Sequence, residues 1–253
     1  MNKVAKVDFS FWVMKICATT LGETGGDLLS MTLKVGYAMS STILLSLFVL
    51  AFIAQLASKK FNPAIYWTVI LATSSAGTEI SDFMDRTLKL GYPHGSLILL
   101  SGLLTILGIW YLSEKSLSVD NIQTTKVEIF YWVAILFSNT LGTALGDFLS
   151  LSSGLGFFDS AASIGSLIGL SVLAFYFTKV NRVVLFWVAF VLTRPFGATF
   201  GDLLTKSHQN GGLGFGTVGA SIFLALILVS MVIYSSIKTK REQDAQVKEN
   251  VDN

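Results

Sequence analysis

Charge is scarce in this sequence. Asp, Glu, Lys and Arg make up 13% of its 253 residues, about half the share found in soluble domains. So few charges cannot coat a water-exposed surface. Cysteine is nearly absent: Cys17 stands alone in an apolar run, which excludes a disulfide framework and a thiolate cluster. Histidine is limited to His94 and His208, both in predicted loops, so a soft Zn or Cu site lacks ligands. No small-residue cleavage pattern follows a short apolar stretch, and no removed signal peptide is read. The net charge of +2 points to no nucleic-acid partner.

What fills the chain instead is apolar. Hydrophobic residues make up 52% and the mean hydropathy is +0.65. They fall into segments at 8–33, 38–57, 64–84, 95–112, 129–151, 160–177, 183–204 and 217–237. Most are near the ~20 residues that carry an α-helix across ~30 Å of hydrocarbon, where a helix satisfies its own backbone. The expected fold is an all-α integral membrane protein: eight transmembrane helices, arranged as four parallel two-helix repeats with pseudo-symmetry about the membrane normal. The repeats occupy 1–60, 61–112, 127–180 and 181–237. Residues 113–126 form a polar linker between halves, and 238–253 a charged tail expected to be disordered.

One register carries the repeat. Asp27, Asp82, Asp147 and Asp202 each follow a Trp by fifteen residues (Trp12, Trp67, Trp132, Trp187) and a Gly by five (Gly22, Gly77, Gly142, Gly197). The residue before each Asp is small: Gly26, Ser81, Gly146, Gly201. A Gly follows nine residues later, at Gly36, Gly91, Gly156 and Gly211. Fifteen residues span ~22 Å of helix. Trp favours the membrane interface, so the four tryptophans are read as interface anchors and the aspartates as one level in the far half of the bilayer. The small pairs, from Gly22/Gly26 to Gly197/Gly201, are read as helix-packing positions where backbones approach closely. Odd-numbered helices, rich in Gly, Ser, Thr and carboxylates, are expected inside, with the plain even-numbered ones towards lipid.

Lys and Arg concentrate in the N-terminus, the loops between repeats and the tail, whereas loops within repeats hold Lys34, Arg86, Lys89 and Lys206. By the positive-inside rule both termini are cytoplasmic. Glu23 and Glu79 lie one turn before Asp27 and Asp82, and Asp85 one turn after Asp82. An ionised carboxylate in hydrocarbon costs roughly 2.5–3.5 kcal/mol, so six or more must face each other, water or a cation. Lys15 and Arg194 are the bases well inside segments; with Asp85 they are candidate charge partners, too few to neutralise the set. Pro195 frees a backbone carbonyl and favours a break in the seventh helix.

Carboxylates, hydroxyls and carbonyls suit hard ions. The candidate cation- or proton-binding set is Asp27, Asp82, Asp147, Asp202, Glu23 and Glu79, for a bound or transported divalent cation or a proton; no resident cofactor is expected. A competing reading makes the aspartates packing residues. No Ser/His pair or HExxH motif is present. Thr24 also occupies the first Gly position of the Gly-x-Gly-Asp signature of intramembrane aspartyl proteases. The chain is read as a non-enzyme.

The fourfold Trp register resembles that of bacterial membrane-anchored proteins built from four tandem two-helix repeats, each with a characteristic Trp. Trp12, Trp67, Trp132 and Trp187 carry the resemblance, which covers nearly the whole apolar region. It implies a multi-pass protein of the bacterial inner membrane and no particular activity, since that family is one of unknown function. Glu23-Thr24-Gly25-Gly26-Asp27 and Glu79-Ile80-Ser81-Asp82 are also loosely similar to the Glu-x-Gly-Asp motif of a family of Mn²⁺/Ca²⁺ exchangers. The spacing departs in the first and Ser replaces Gly in the second. The functional expectation is a transporter or exporter of a hard cation, Mn²⁺ favoured, with proton coupling. The alternatives are a channel with a ring of four Asp, an intramembrane hydrolase, and a non-transporting scaffold. Its partners are the lipid bilayer and a small cation or proton.

Overall fold

Each odd-numbered helix begins behind a polar residue. The helices are α1 (Phe9–Asp27), α3 (Pro63–Asp82), α5 (Thr125–Asp147) and α7 (Arg182–Thr205). Asp8 accepts from Phe11 N at 2.9 Å, Asn62 from Ala64 N at 3.0 Å, Thr124 from Val127 N at 3.3 Å and Asn181 from Val183 N at 2.8 Å. Such a cap takes up an orphan N–H and stabilises by about 1 kcal/mol. The computed structural model describes residues 3–119, 122 and 124–252, with side chains through residue 241. It contains no strand among the described residues.

In the first three repeats the chain does not turn at the Asp. It widens into a single π-turn, at Leu28–Thr32, Phe83–Thr87 and Phe148–Ser152. It then reverses through two left-handed positions, the second being Gly36, Gly91 or Gly156 at φ between +74° and +82°. Only glycine takes that conformation without steric cost, which accounts for the Gly nine residues after each of these Asp residues. From these turns leave α2 (Tyr37–Ala57), α4 (Tyr92–Glu114) and α6 (Gly156–Phe177). Repeat four differs: α7 stays α-helical past Asp202 to Thr205, and a 3₁₀ turn, His208–Asn210, precedes α8 (Gly216–Asp252).

Two expectations are corrected. Pro195 does not break α7, which is continuous from Arg182 to Thr205. Its ring has room because Gly142 of α5 faces it; a Cβ on Gly142 would lie 2.9 Å from Pro195 Cδ. The charged tail is helical rather than disordered, since α8 continues through Asp252. Its Lys, Glu, Gln and Ala residues favour helix, and extending a formed helix avoids the cost of nucleation.

The odd-numbered helices contact one another in a closed cycle: α1 to α3, α3 to α5, α5 to α7, and α7 back to α1. Each even-numbered helix packs on the inner helix of the next repeat: α2 on α3, α4 on α5, α6 on α7, and α8 on α1. The last contact ties the two ends of the chain together. Glycines sit where the inner helices meet. A Cβ on Gly77 would stand 2.9 Å from Thr140 N, and one on Gly197 would stand 2.9 Å from the Thr19 carbonyl carbon. No larger residue fits against backbone at that distance.

Outer helices leave large apolar side chains exposed, among them Leu50, Ile53, Leu104, Leu170 and Leu226. Among the described residues six helices are long and apolar enough to cross a membrane: α2, α4, α5, α6, α7 and α8. The others, α1 and α3, carry Lys15, Glu23, Asp27, Glu79 and Asp82, and bury them. Apolar outside and polar within is the inverse of a water-soluble bundle; this is a helical membrane protein with internal repeats.

Candidate functional site

The inner helices present the same face to one another at four-residue steps. At the Asp level stand Asp27, Asp82, Asp147 and Asp202, all buried. One turn towards the Trp end the positions are Glu23, Thr78, Thr143 and Ala198; the next are Thr19, Ser74, Asn139 and Arg194; then Lys15, Ile70, Ile135 and Phe190. All of these are buried as well.

Arg194 crosses the bundle from α7. Both terminal nitrogens donate to Glu23 Oε2 at 3.1 Å. They also donate to Thr19 O at 3.3 Å, Ser74 O at 3.2 Å, Thr143 Oγ1 at 2.8 Å and the Thr78 hydroxyl. One guanidinium therefore touches α1, α3 and α5. Its planar fork of donors suits such a multiple role better than a Lys ammonium.

The four aspartates are joined in pairs by two bases that the sequence placed in loops. Arg86 Nε lies 2.9 Å from Asp82 Oδ1 and its Nη2 lies 3.0 Å from Asp147 Oδ2. Lys206 Nζ lies 2.9 Å from Asp202 Oδ1 and 2.8 Å from Asp27 Oδ2. Their side chains are 29% and 24% exposed, so they cover the aspartates from the end opposite the tryptophans. Arg86 is held in place by Tyr37, whose hydroxyl accepts from its Nη1 at 3.0 Å.

Among the described residues one group of three carboxylates converges closely enough to share an ion. An oxygen from each of Glu23, Asp147 and Asp202 lies within 4.8 Å of the others. Glu79 stands apart, against Gly26 of α1. The Ser30 hydroxyl lies beside its carboxyl and donates to Gly26 O at 3.0 Å; among the described residues no base forms an ion pair with Glu79. Asp85 also leaves the ring. It accepts from Ser81 at 3.4 Å and abuts Gly95 of α4. Lys15, far along α1, pairs with no carboxylate among the described residues. At and near the Asp level stand seven carboxylates (Glu23, Asp27, Glu79, Asp82, Asp85, Asp147, Asp202) and three bases paired with them (Arg86, Arg194, Lys206). Fully ionised, these groups carry four uncompensated negative charges.

The other end is closed by rings. Tyr66 and Tyr131 are buried and share a hydroxyl hydrogen bond of 2.6 Å. Phe11 packs on Trp67 and Phe186, and Tyr66 on Trp132. The sequence reading made Trp12, Trp67, Trp132 and Trp187 interface anchors. The structure keeps them at one end but buries Trp67, Trp132 and Trp187 among other rings; Trp187 donates to Leu117 O of the linker at 3.0 Å. With a ring of inner helices available, the large apolar faces pack against each other rather than against headgroups. Glu128 lies near the same end, accepting from Lys3 at 2.9 Å and Gln55 at 3.1 Å.

Sequence reasoning missed Arg86 and Lys206 as site residues. The signal was there: each lies four residues after an Asp of the register, the spacing of a helical ion pair. The loop assignment hid it: the second inner segment was taken to end at 84, short of the π-turn that holds Arg86, and Lys206 caps α7 just past its last residue.

No match to the chain was found among the curated proteins or among the solved structures. One family does match, and over most of the length, with a copy at residues 10–61, 65–116, 130–181 and 185–240. On that fourfold match, each copy holding the Trp and the buried Asp of the register and one inner–outer helix pair, the chain belongs to the family of the Repeat of Unknown Function (DUF347).

Proposed function

We propose that the protein is a membrane carrier that exchanges a hard divalent cation, Mn²⁺ favoured, against protons. The observation that carries this reading is the convergence of Glu23, Asp147 and Asp202 within 4.8 Å. A divalent ion holds oxygen ligands at ~2.0–2.6 Å, so ligands on opposite sides of it stand up to about 5 Å apart. Three carboxylates, with Thr78 and Thr143 hydroxyls nearby, suit such an ion and not a soft one. The excess of carboxylates over bases must be met by a cation or by protons.

The topology that fits is eight spanning helices in four parallel repeats, pseudo-symmetric about the membrane normal, with α1 and α3 shielded by their neighbours. Both termini then face the cytoplasm of a bacterial inner membrane, and Arg86 and Lys206 face outward. An arriving cation displaces Lys206 from Asp202 and Arg86 from Asp147. Each base keeps its second carboxylate, Asp27 or Asp82, so neither is left unpaired. Glu79, which has no ion-pair partner among the described residues, takes a proton. The ring-packed Trp end, closed by the Tyr66–Tyr131 bond, opens in a second conformation. That closure favours a carrier over the channel with four Asp.

The test is Mn²⁺ uptake into proteoliposomes with an internal Mn²⁺-sensitive dye. Asp147→Asn and Asp202→Asn are expected to abolish uptake while the protein remains folded. Uptake equal to the parent in both variants sinks the assignment. A parent that moves neither Mn²⁺, Mg²⁺ nor Ca²⁺ leaves the scaffold reading, in which Arg86 and Lys206 merely tie the helices together.

A further inference from the structure

We propose that Lys15 is a second proton-binding site, separate from the carboxylates, and that it sets the proton side of the exchange. The inference rests on the carrier reading above. Lys15 is fully buried on α1, three turns from Asp27 towards the Trp end. Its register mates are Ile70, Ile135 and Phe190, so an amine stands in a layer that is otherwise apolar.

Its surroundings answer a charge weakly. Among the described residues its one hydrogen bond is to Asn139 Oδ1, at a long 3.4 Å. The Asn139 amide donates to Thr73 Oγ1 at 3.0 Å, which fixes the amide with its oxygen towards the lysine. The Phe190 ring lies 4.1 Å from Nζ. Among the described residues no carboxylate lies within ion-pair distance of Lys15. On this inward stripe the nearest ionisable groups are Arg194 of α7, one layer outward, and the Tyr66 and Tyr131 phenols, one layer towards the Trp end; Glu23 lies two layers outward and the four aspartates three. On α8, the remaining neighbour of α1, Leu224 O accepts from Cys17 at 3.3 Å. A permanent ammonium here would face one weak acceptor, one ring and a like charge. Each of the other three bases has a carboxylate.

The step is simple. In the conformation open at the Trp end, the Lys15 amine takes a proton from that compartment through its lone pair and becomes an ammonium; once that end closes and the Asp end opens, the ammonium gives the proton to the opposite compartment and the amine is restored. A cation moving from the carboxylate triad to the Trp end must pass this layer. Loaded, Lys15 repels it; unloaded, it lets it through. Proton and cation therefore exclude each other, which is the condition for exchange.

The experiment uses the full chain with ¹⁵Nζ-labelled lysine, reconstituted in lipid, and reads the Nζ resonance by NMR, with Lys15→Met to assign it. Mn²⁺ uptake and proton release are measured in vesicles from the same preparations. The expected result is a neutral-amine resonance at neutral pH, missing in Lys15→Met. That variant should still bind Mn²⁺ yet lose proton-coupled uptake. An ammonium resonance across the accessible pH range overturns the proposal, as does parent-like coupled uptake by Lys15→Met, and both leave the cation site standing. A neutral resonance in a parent without Mn²⁺ flux overturns the carrier reading instead, and the exchange role with it.

Discussion

The two ends of the inner bundle use the same four helices and opposite materials. At the Asp end the helices are joined by a few directional contacts: two bases, each shared between two carboxylates, and one guanidinium reaching three helices. At the Trp end they are joined by rings, with Trp132, Tyr66 and Tyr131 essentially inaccessible. The difference teaches where motion is cheap. Ion pairs that share a base can exchange partners without leaving a charge bare, whereas a ring cluster must separate as a unit to open. The bundle therefore has a labile end and a sealed one.

The comparison can be broken by substitution. The largest effect is expected at Arg194→Met. Removing one partner of a buried pair costs about 3–5 kcal/mol, because Glu23 is left bare among Thr78 and Thr143; thermal unfolding in lipid nanodiscs reads it. Next comes Gly77→Val, which pushes a side chain into the backbone of α5 at Asn139–Thr140. Overpacking of this kind costs about 1–3 kcal/mol and should lower the same transition without touching any charge. The smallest effect is expected at Tyr66→Phe, which removes the hydroxyl bond to Tyr131 but keeps the ring, at about 0.5–1.5 kcal/mol. If Tyr66→Phe destabilised more than Arg194→Met, the sealed end would be held by hydrogen bonding rather than by packed rings, and the contrast would reverse.

Much of this was legible in one dimension. The Trp–Gly–Asp register marks the inner helices because repetition at fixed spacing survives whatever the fold does with it. The apolar runs around Leu50, Leu104, Leu170 and Leu226 mark the outer ones. Less legible were the ends of elements. The π-turn after Asp82 carries the chain through Thr87, three residues past the segment read from hydropathy, and holds Arg86. Lys206 caps α7 just past Thr205. Pro195 misled in the other direction, because the sequence does not reveal that Gly142 lies opposite its ring.

The sequence alone determined that this is a membrane protein of four similar helix pairs, with carboxylates at one level, because composition and period are properties of the chain. Only the tertiary structure decided which carboxylates meet. Asp147 and Asp202 meet Glu23; Glu79 and Asp85 turn aside; and Lys15 has no counter-charge among the described residues. Those outcomes depend on how the four inner helices are rotated against one another, and that rotation is set by glycine contacts between residues distant along the chain.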